Sequence, residues 1–530
     1  MPRGIYLFSE KQNSRIIEKA HLSPAWYEQN PELLKKQIEK NIERGRTHFL
    51  GDFDIDNLKA IVVPHAGHHY SGLCAAVGYA ALQQKKNLNR IILLAPSHHV
   101  HFEGIGLPAY QEYQTCLGSL FVDIEACELL KESTFCTEQP AAHEKEHALE
   151  IQFPFLHVVA PHVNIVPLLV GELTTHAIPN IKTVLKKIID EQTIIIVSSD
   201  FIHYGPDYAY QPFNTSVHKN LVALDGAVLQ ALSSYSLLEL QTMFNRTQAT
   251  VCGRNPLAIL TMLCEDQADE IKSSLCCYYV SAHADALSKT ENNYFDIVTS
   301  ALNDHQLRNS VSYATLLYTQ KKDSFIQKPT AFEAKLLCNH ARQSLEKYFD
   351  ADKEYPPLQI NMPFFNQTNG AFVTLQTKQG SLRGCIGNIT SHRPVHETIQ
   401  KMALAAAFED QRFEPVTKEE LDAIKIEISL LSKPQKIKTI DEFILGTHGL
   451  ILTWIDPKKN ITRSAVFLPE VAIENNWSKT EMLEQLSKKA GCAPEAWKES
   501  SFEIFYSLKI KEKKSARCKR ALSIVYAIVF

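Results

Sequence analysis

Four short runs in the first half of the chain, Leu58 to Val63, Arg90 to Leu94, Val163 to Val170 and Thr193 to Val197, are almost unbroken in apolar residues and rich in Ile and Val. Such runs predict strands buried on both faces. Around and between them, Asn30 to Arg44, Gly72 to Gln84, Ala148 to Val158 and Ile178 to Asp190 carry helical patterning. Strand alternating with helix predicts an α/β domain built on a largely parallel sheet. From Tyr318 to Thr330 the periodicity fades, charge gathers and a proline appears, which marks a linker. Beyond it the pattern gives a helix from Ala331 to Tyr348, an extended segment from Gly370 to Thr377, a helix from Val395 to Phe408, a strand from Ile424 to Leu431 and a helix from Ser478 to Ala490. Their irregular order predicts an α+β domain.

Length agrees with this division, because single cores stop growing beyond a few hundred residues and this chain has 530. The expected units are 1–319, a linker at 320–330, a second domain at 331–515 and a tail at 516–530. A net charge of −4 offers no bulk attraction to a phosphate backbone, so nucleic acid is not an expected partner. The run Lys509 to Arg520 is basic and reads as a solvated terminus. No stretch reaches the roughly 20 apolar residues of a membrane span, and Met1 to Glu10 does not look like an export signal. The 12 cysteines are scattered, which predicts reduced thiols and a cytoplasmic location; the adjacent Cys276 and Cys277 lie in the apolar run Leu275 to Val280 and read as buried strand residues.

The residues that follow the apolar runs carry the chemistry. Val63 leads into Pro64-His65-Ala66-Gly67, Leu94 into Ala95-Pro96-Ser97-His98-His99, and Val197 into Ser198-Ser199-Asp200-Phe201-Ile202-His203. Ligands of open α/β sheets bind outside the carboxyl ends of the strands, so three strands deliver imidazoles to one edge. Cys252 precedes an expected helix whose first turn holds Pro256, and a thiol at a helix N-terminus is partly stabilised as thiolate. Imidazole with thiolate suits iron, copper or zinc rather than magnesium or calcium. His143-Glu144-Lys145-Glu146-His147 also matches H-E-x-x-H, which on one helix would make a zinc-protease site. Pro140 and the lack of a recognisable third ligand weigh against that reading. His147 and Glu150, at helical i, i+3 spacing, are instead candidates for groups that support the pocket from beneath.

These segments, together with Glu146 to Leu156 (EHALEIQFPFL), Val197 to Gly205 (VSSDFIHYG), VCGRNP around Cys252 and VSYA from Val311 to Ala314, resemble in that order the Memo family, also called AmmeMemoRadiSam system protein B. The resemblance implies the fold of class III extradiol dioxygenases and a metal, iron(II) or copper, held by His65, His98 and Cys252. It places Asp200 and His203 in the pocket as proton-handling groups and leaves His99 beside it, since adjacent residues of an extended segment point oppositely. His68, His69 and Asn255 depart from the family's usual residues.

In the second half, Leu382-Arg383-Gly384-Cys385-Ile386-Gly387 sets a thiol between two glycines, which predicts a turn with two readings: Cys385 presented as a nucleophile with Arg383 beside it, or a structural turn with the cysteine buried. That segment, with EISLLSKP from Glu427, GTHGL from Gly446, FLPEVA from Phe467 and KAGC from Lys489, is similar to the AMMECR family, also called AmmeMemoRadiSam system protein A. The resemblance implies an α+β fold with LRGCIG in a cleft, near which His396 and Glu427 are further candidates. The family name implies a radical-SAM enzyme as partner. Its cluster would need closely spaced cysteines that this chain lacks, so this chain accompanies that chemistry and does not catalyse it. The expectation is a metal-dependent redox enzyme of dioxygenase-like type acting on a small molecule. The alternative is a non-catalytic scaffold that binds metal, peptide or partner.

Overall fold

The structure is a computed structural model describing residues 16–55, 57–300, 302–321, 326–349, 363–455 and 461–512. The expected tail at 516–530, the N-terminal Met1 to Glu10 and part of the linker lie outside the described residues.

After a short strand at Ile17–Lys19 comes helix α1 (Pro31–Gly45), started by Asn30, whose side chain accepts from the Glu32 and Leu33 amides, with proline next. Strand β1 (Leu58–Val63), helix α2 (His68–Leu82), β2 (Arg90–Pro96) and β3 (Ile105–Leu107) follow. Then come two short helices, α3 (His147–Glu150) and α4 (Phe153–Val159), and β4 (Asn164–Val170), α5 (Ala177–Ile188) and β5 (Thr193–Ser198). Helix α6 (Arg254–Glu265) and two long strands, β6 (Ile271–Val280) and β7 (Ser310–Gln320), complete it.

The four strands read from the sequence lie side by side and parallel in the order β1, β5, β2, β4. Their apolar runs are buried on both faces because helices cover both sides. The nine-stranded sheet is extended by antiparallel β7 beside β1, antiparallel β6 beside β7, and β3 beside β4. The one helix expected over Ala148 to Val158 is two, divided at Gln152, whose side chain is drawn into the core. No helix among the described residues is long and apolar enough to cross a membrane.

The second domain begins with α7 (Ala331–Tyr348), followed by β8 (Gly370–Gln376), β9 (Leu382–Asn388), α8 (Val395–Phe408), β10 (Lys425–Leu431), β11 (Gly449–Ile455), β12 (Thr462–Phe467), β13 (Ser501–Phe505) and β14 (Ser507–Lys511). One antiparallel sheet runs β9, β8, β10, β14; a second contains β13, β11 and β12. Helix α7 is fixed by a capping box in which Thr330 and Glu333 satisfy each other's amides. The same two side chains grip the first domain: Thr330 Oγ1 donates to the Leu275 carbonyl at 3.1 Å, and Glu333 accepts from the Leu275 amide at 3.3 Å. The Phe332 ring packs on Phe49 and Phe295, so buried apolar residues run continuously across the seam.

LRGCIG is not the turn its glycines predict; it is the middle of β9. The glycines are there for close approach. A Cβ on Gly384 would lie 2.0 Å from the Ala406 carbonyl oxygen of α8, and one on Gly387 would lie 2.2 Å from the Phe372 ring. Gly384→Ala is therefore expected to push α8 off the sheet and destabilise the protein by roughly 1–3 kcal/mol, the range for overpacking. A denaturant titration that leaves the midpoint unchanged would contradict this packing.

Candidate metal centre and the Cys385 row

The carboxyl ends of β1, β2 and β5 meet at one edge of the sheet, and His65, His98 and His147 come together there. Their ligand nitrogens all lie within 4.8 Å of one another. The His65 ring stands nearly perpendicular to the other two, at 86° and 87°, while His98 and His147 stack with centroids 4.5 Å apart. Exposure is graded: the His65 residue is 1% exposed, and the His147 and His98 side chains are 18% and 26% exposed. The pocket has a closed floor and an open mouth. Trp26 lies over His147, with ring centroids 4.6 Å apart.

Each of the first two imidazoles is oriented from behind. Glu146, buried beside the cluster, accepts from His98 Nδ1 at 2.8 Å, from the His98 amide at 2.7 Å and from the Ala148 amide at 3.0 Å; His147 Nδ1 is 3.4 Å away. A carboxylate only accepts, so the His98 proton sits on Nδ1 and Nε2 carries the lone pair. Burial pushes the Glu146 carboxyl up, but the bonds from His98 outweigh it and hold it below its usual range. His65 Nδ1 meets Ser198 Oγ at 3.1 Å, and the His65 amide donates to Asp200 at 2.7 Å. His65 Nε2 is buried with no partner. Burial, then the neighbouring His147, His98 and His203, hold the His65 imidazole well below its ordinary titration; burial and His98 take His147 to about 4. Three converging imidazoles, His65 and His147 held neutral and His65 Nε2 orphaned, are a donor set that a metal such as iron, copper or zinc fits.

The remaining candidates divide. Cys252 does not join the three histidines; its Sγ faces His203, 3.5 Å from Nε2. His203 Nδ1 donates to the carbonyls of Phe201 and Thr250, which leaves the Nε2 lone pair toward the thiol. Burial, then Asp200 and Glu146, push the Cys252 thiol well up, so the metal-free site holds a protonated thiol rather than the thiolate expected at a helix start. Asp200 is buried beneath the His65 backbone, and burial raises its carboxyl. His99 is exposed at the rim, its ring 6.3 Å from His147.

Glu150 does not support the pocket. It turns the other way and ties down the segment before α1, accepting from the His21 and Leu22 amides and from the Tyr27 and Tyr113 hydroxyls at 2.7–2.9 Å. His68 binds the Ile151 carbonyl, His69 pairs with Asp285, and Asn255 donates to the Gly171 carbonyl. The H-E-x-x-H match is no protease site. His143 and His147 lie on separate short helices, and both ring nitrogens of His143 are taken, by Gly106 and Tyr110.

In the second domain Cys385 sits in a row across the sheet with Thr374 and Glu427, which occupy paired positions on β9, β8 and β10. Its Sγ is 3.2 Å from Thr374 Oγ1. Arg383 does not stabilise the thiol, because Glu420 takes its guanidinium in a two-pronged pair at 2.9 and 3.1 Å. The cation beside Cys385 is Arg412, which donates to the Cys385 carbonyl and to Asp410, while Asp410 accepts from the Cys385 amide. Glu427 is bound by Lys509 and Lys511. His396 is buried behind the sheet and donates to the Phe365 carbonyl, away from this row.

A cluster of three histidines, a group able to hold a metal ion, at the strand ends of a mixed α/β sheet, followed by an α+β unit, defines a two-domain α/β protein. Residues 19–298 match the family described as Memo-like protein, and residues 338–509 match AMMECR1. The chain belongs to the Memo family and carries an AMMECR1 domain behind its Memo domain. It is 27% identical over 332 residues to a MEMO1 family protein of Schizosaccharomyces pombe, covering 57% of this chain and 99% of that one. It is 27% identical over 257 residues to MEMO1 of Xenopus laevis, covering 47% and 84%, and 35% identical over 191 residues to protein SSO0193 of Saccharolobus solfataricus, covering 34% and 82%. Among solved structures it is similar to the uncharacterized protein PH0010 of Pyrococcus horikoshii, with 31% identity, 33% and 89% coverage and a TM-score of 0.30.

Proposed function

We propose that the Memo domain is a metal-dependent redox enzyme holding iron(II) or copper at His65, His98 and His147. The observation that carries this reading is the convergence of three imidazoles, with the buried His65 Nε2 left without a partner. Cys252 stands outside that set, its thiol facing His203. A bound metal of this kind supplies Lewis acidity and electron transfer to a coordinated small molecule. The protein orients the donors through Glu146 and Ser198, narrows access with Trp26, and places His203 beside Cys252 to take or return a proton. We read the sheet, with histidines at its carboxyl edge, as the extradiol-dioxygenase type of fold, and the AMMECR1 domain as the site where a small molecule passed on by a radical-SAM partner is bound. The eleven described cysteines are all free, in keeping with a reducing, cytoplasmic setting.

Anaerobic metal analysis tests the reading, on protein as isolated and after iron(II) or copper(I) reconstitution. Near-stoichiometric metal is expected in the wild type and in Glu150→Gln, and loss of it in His65→Ala/His147→Ala. No metal in the wild type under either condition would remove the redox proposal. Retention by Cys252→Ser alongside loss in the single variant His147→Ala assigns His147, rather than the cysteine, as the third ligand.

A further inference from the structure

Behind His65, hydrogen bonds whose directions are all forced run through three buried side chains. Two carbonyl groups, Pro64 and Ala148, can only accept. Gln152 Nε2 donates to the Pro64 carbonyl at 2.9 Å, which identifies the nitrogen end of that amide, and Gln152 Oε1 accepts from the Tyr79 hydroxyl at 2.8 Å. The second Nε2 proton goes to Ser198 Oγ at 3.0 Å. Ser198 has one proton and gives it to the Ala148 carbonyl at 2.7 Å. Its hydroxyl is then an acceptor toward everything else, and His65 Nδ1, 3.1 Å away, has to be the donor.

We infer that Ser198, aligned by Gln152, is a positioning residue that locks the proton of His65 on Nδ1 and so keeps a bare Nε2 lone pair turned into the histidine cluster. Both residues are fully buried, so no water competes for the hydroxyl. Gln152 ties together the end of β1, helix α2 through Tyr79, and the end of β5 through Ser198. The break between α3 and α4 is what brings this side chain inward. The Ser198 backbone also accepts from this ring, so losing the hydroxyl weakens the preference for Nδ1 and lets the proton spend time on Nε2, where it blocks a ligand atom; an outer hydrogen bond that fixes the tautomer commonly changes metal affinity roughly 10–100-fold.

The functional meaning of this lock rests on the metal reading above, but the tautomer does not, and the experiment separates them. Imidazole nitrogen NMR on the metal-free full chain, with the His65 signals identified by their loss in His65→Ala, should show Nδ1 protonated and Nε2 bare. Ser198→Ala should shift the proton wholly or partly to Nε2 and weaken the binding of zinc(II), used as a diamagnetic probe, by roughly 10–100-fold; Ser198→Thr, which keeps the hydroxyl, should restore both. A wild-type His65 protonated on Nε2 overturns the inference, even if Ser198→Ala does not fold. An unchanged tautomer in folded Ser198→Ala overturns it as well. Wild-type protein with the expected tautomer and no affinity for zinc(II) would refute the metal reading and leave the lock standing.

Discussion

Acidifying the metal-free protein from neutrality is expected to unfold it cooperatively, with a midpoint between the ordinary imidazole value of 6.5 and about 4. Five buried histidines away from the metal cluster, His68, His143, His218, His283 and His340, are each lowered by burial from 6.5 to about 4. Between those values the unfolded chain binds the protons and the folded chain does not. The stability these groups confer is therefore fully present above 6.5 and is lost as the pH falls toward 4. Each proton of difference contributes about 1.4 kcal/mol per pH unit, so five contribute up to about 7. Two carboxyls oppose them: burial raises Asp225 from 3.8 and Glu333 from 4.5, each to about 7. Their stabilisation is present below those ordinary values and is lost as the pH rises through 7, which offsets about 3 kcal/mol per pH unit. The histidines win by about 4 kcal/mol per unit, against a total stability of about 5–15 kcal/mol. Circular dichroism and tryptophan fluorescence followed together against pH check this, and native signals persisting below about pH 4 would show that the imidazoles are not held neutral.

The parallel centre of the first sheet was legible because its strands are buried on both faces and so are written as unbroken apolar runs; β1, β2, β4 and β5 needed no tertiary information. The same logic located His65, His98, Asp200 and His203, since residues just past such runs sit at one sheet edge. His147 was harder to place. It precedes no strand, and its role depends on a helix broken at Gln152, a break with no glycine and only Pro154 near it to signal it. The directions of Ser198 and Gln152 come from carbonyls distant in sequence, which no local pattern encodes. Glu150 and Glu146 illustrate the limit most clearly. They lie four residues apart in one polar-looking stretch, yet one binds the N-terminal segment and the other the histidine cluster, because Glu146 caps the start of the short helix that Glu150 ends. In the AMMECR1 domain, Gly384 and Gly387 look like turn residues until the approach of α8 and Phe372 is known. Arg383 looks like the partner of Cys385 until strand alternation sends it to Glu420 and brings Arg412 in from a loop.

Removing the Glu146 carboxylate is expected to disorder the histidine cluster more than any other single change outside the three histidines. In Glu146→Ala the His98 amide, the Ala148 amide and His98 Nδ1 lose their common acceptor. Hydrogen bonds to a charged group contribute about 1.5–3 kcal/mol each and buried donors left alone cost about 1–3, so a loss of roughly 3 kcal/mol is a low figure for three. The Ala148 amide belongs to the first turn of α3, and that helix carries His147, so two of the three imidazoles are released together. Metal affinity should fall by roughly 100-fold, the upper end for loss of an orienting group. Glu146→Gln should do little better. Both carboxylate oxygens face N–H donors, and an amide has to turn its own NH₂ toward one of them, replacing attraction with repulsion. The informative comparison is Glu150→Gln, a change of the same chemistry at a buried carboxylate that serves the N-terminal segment: it should cost stability and leave metal affinity unchanged. Denaturant titration and metal competition on the three variants separate these outcomes, and equal affinity in Glu146→Ala and wild type would mean that the histidines hold their geometry without the carboxylate behind them.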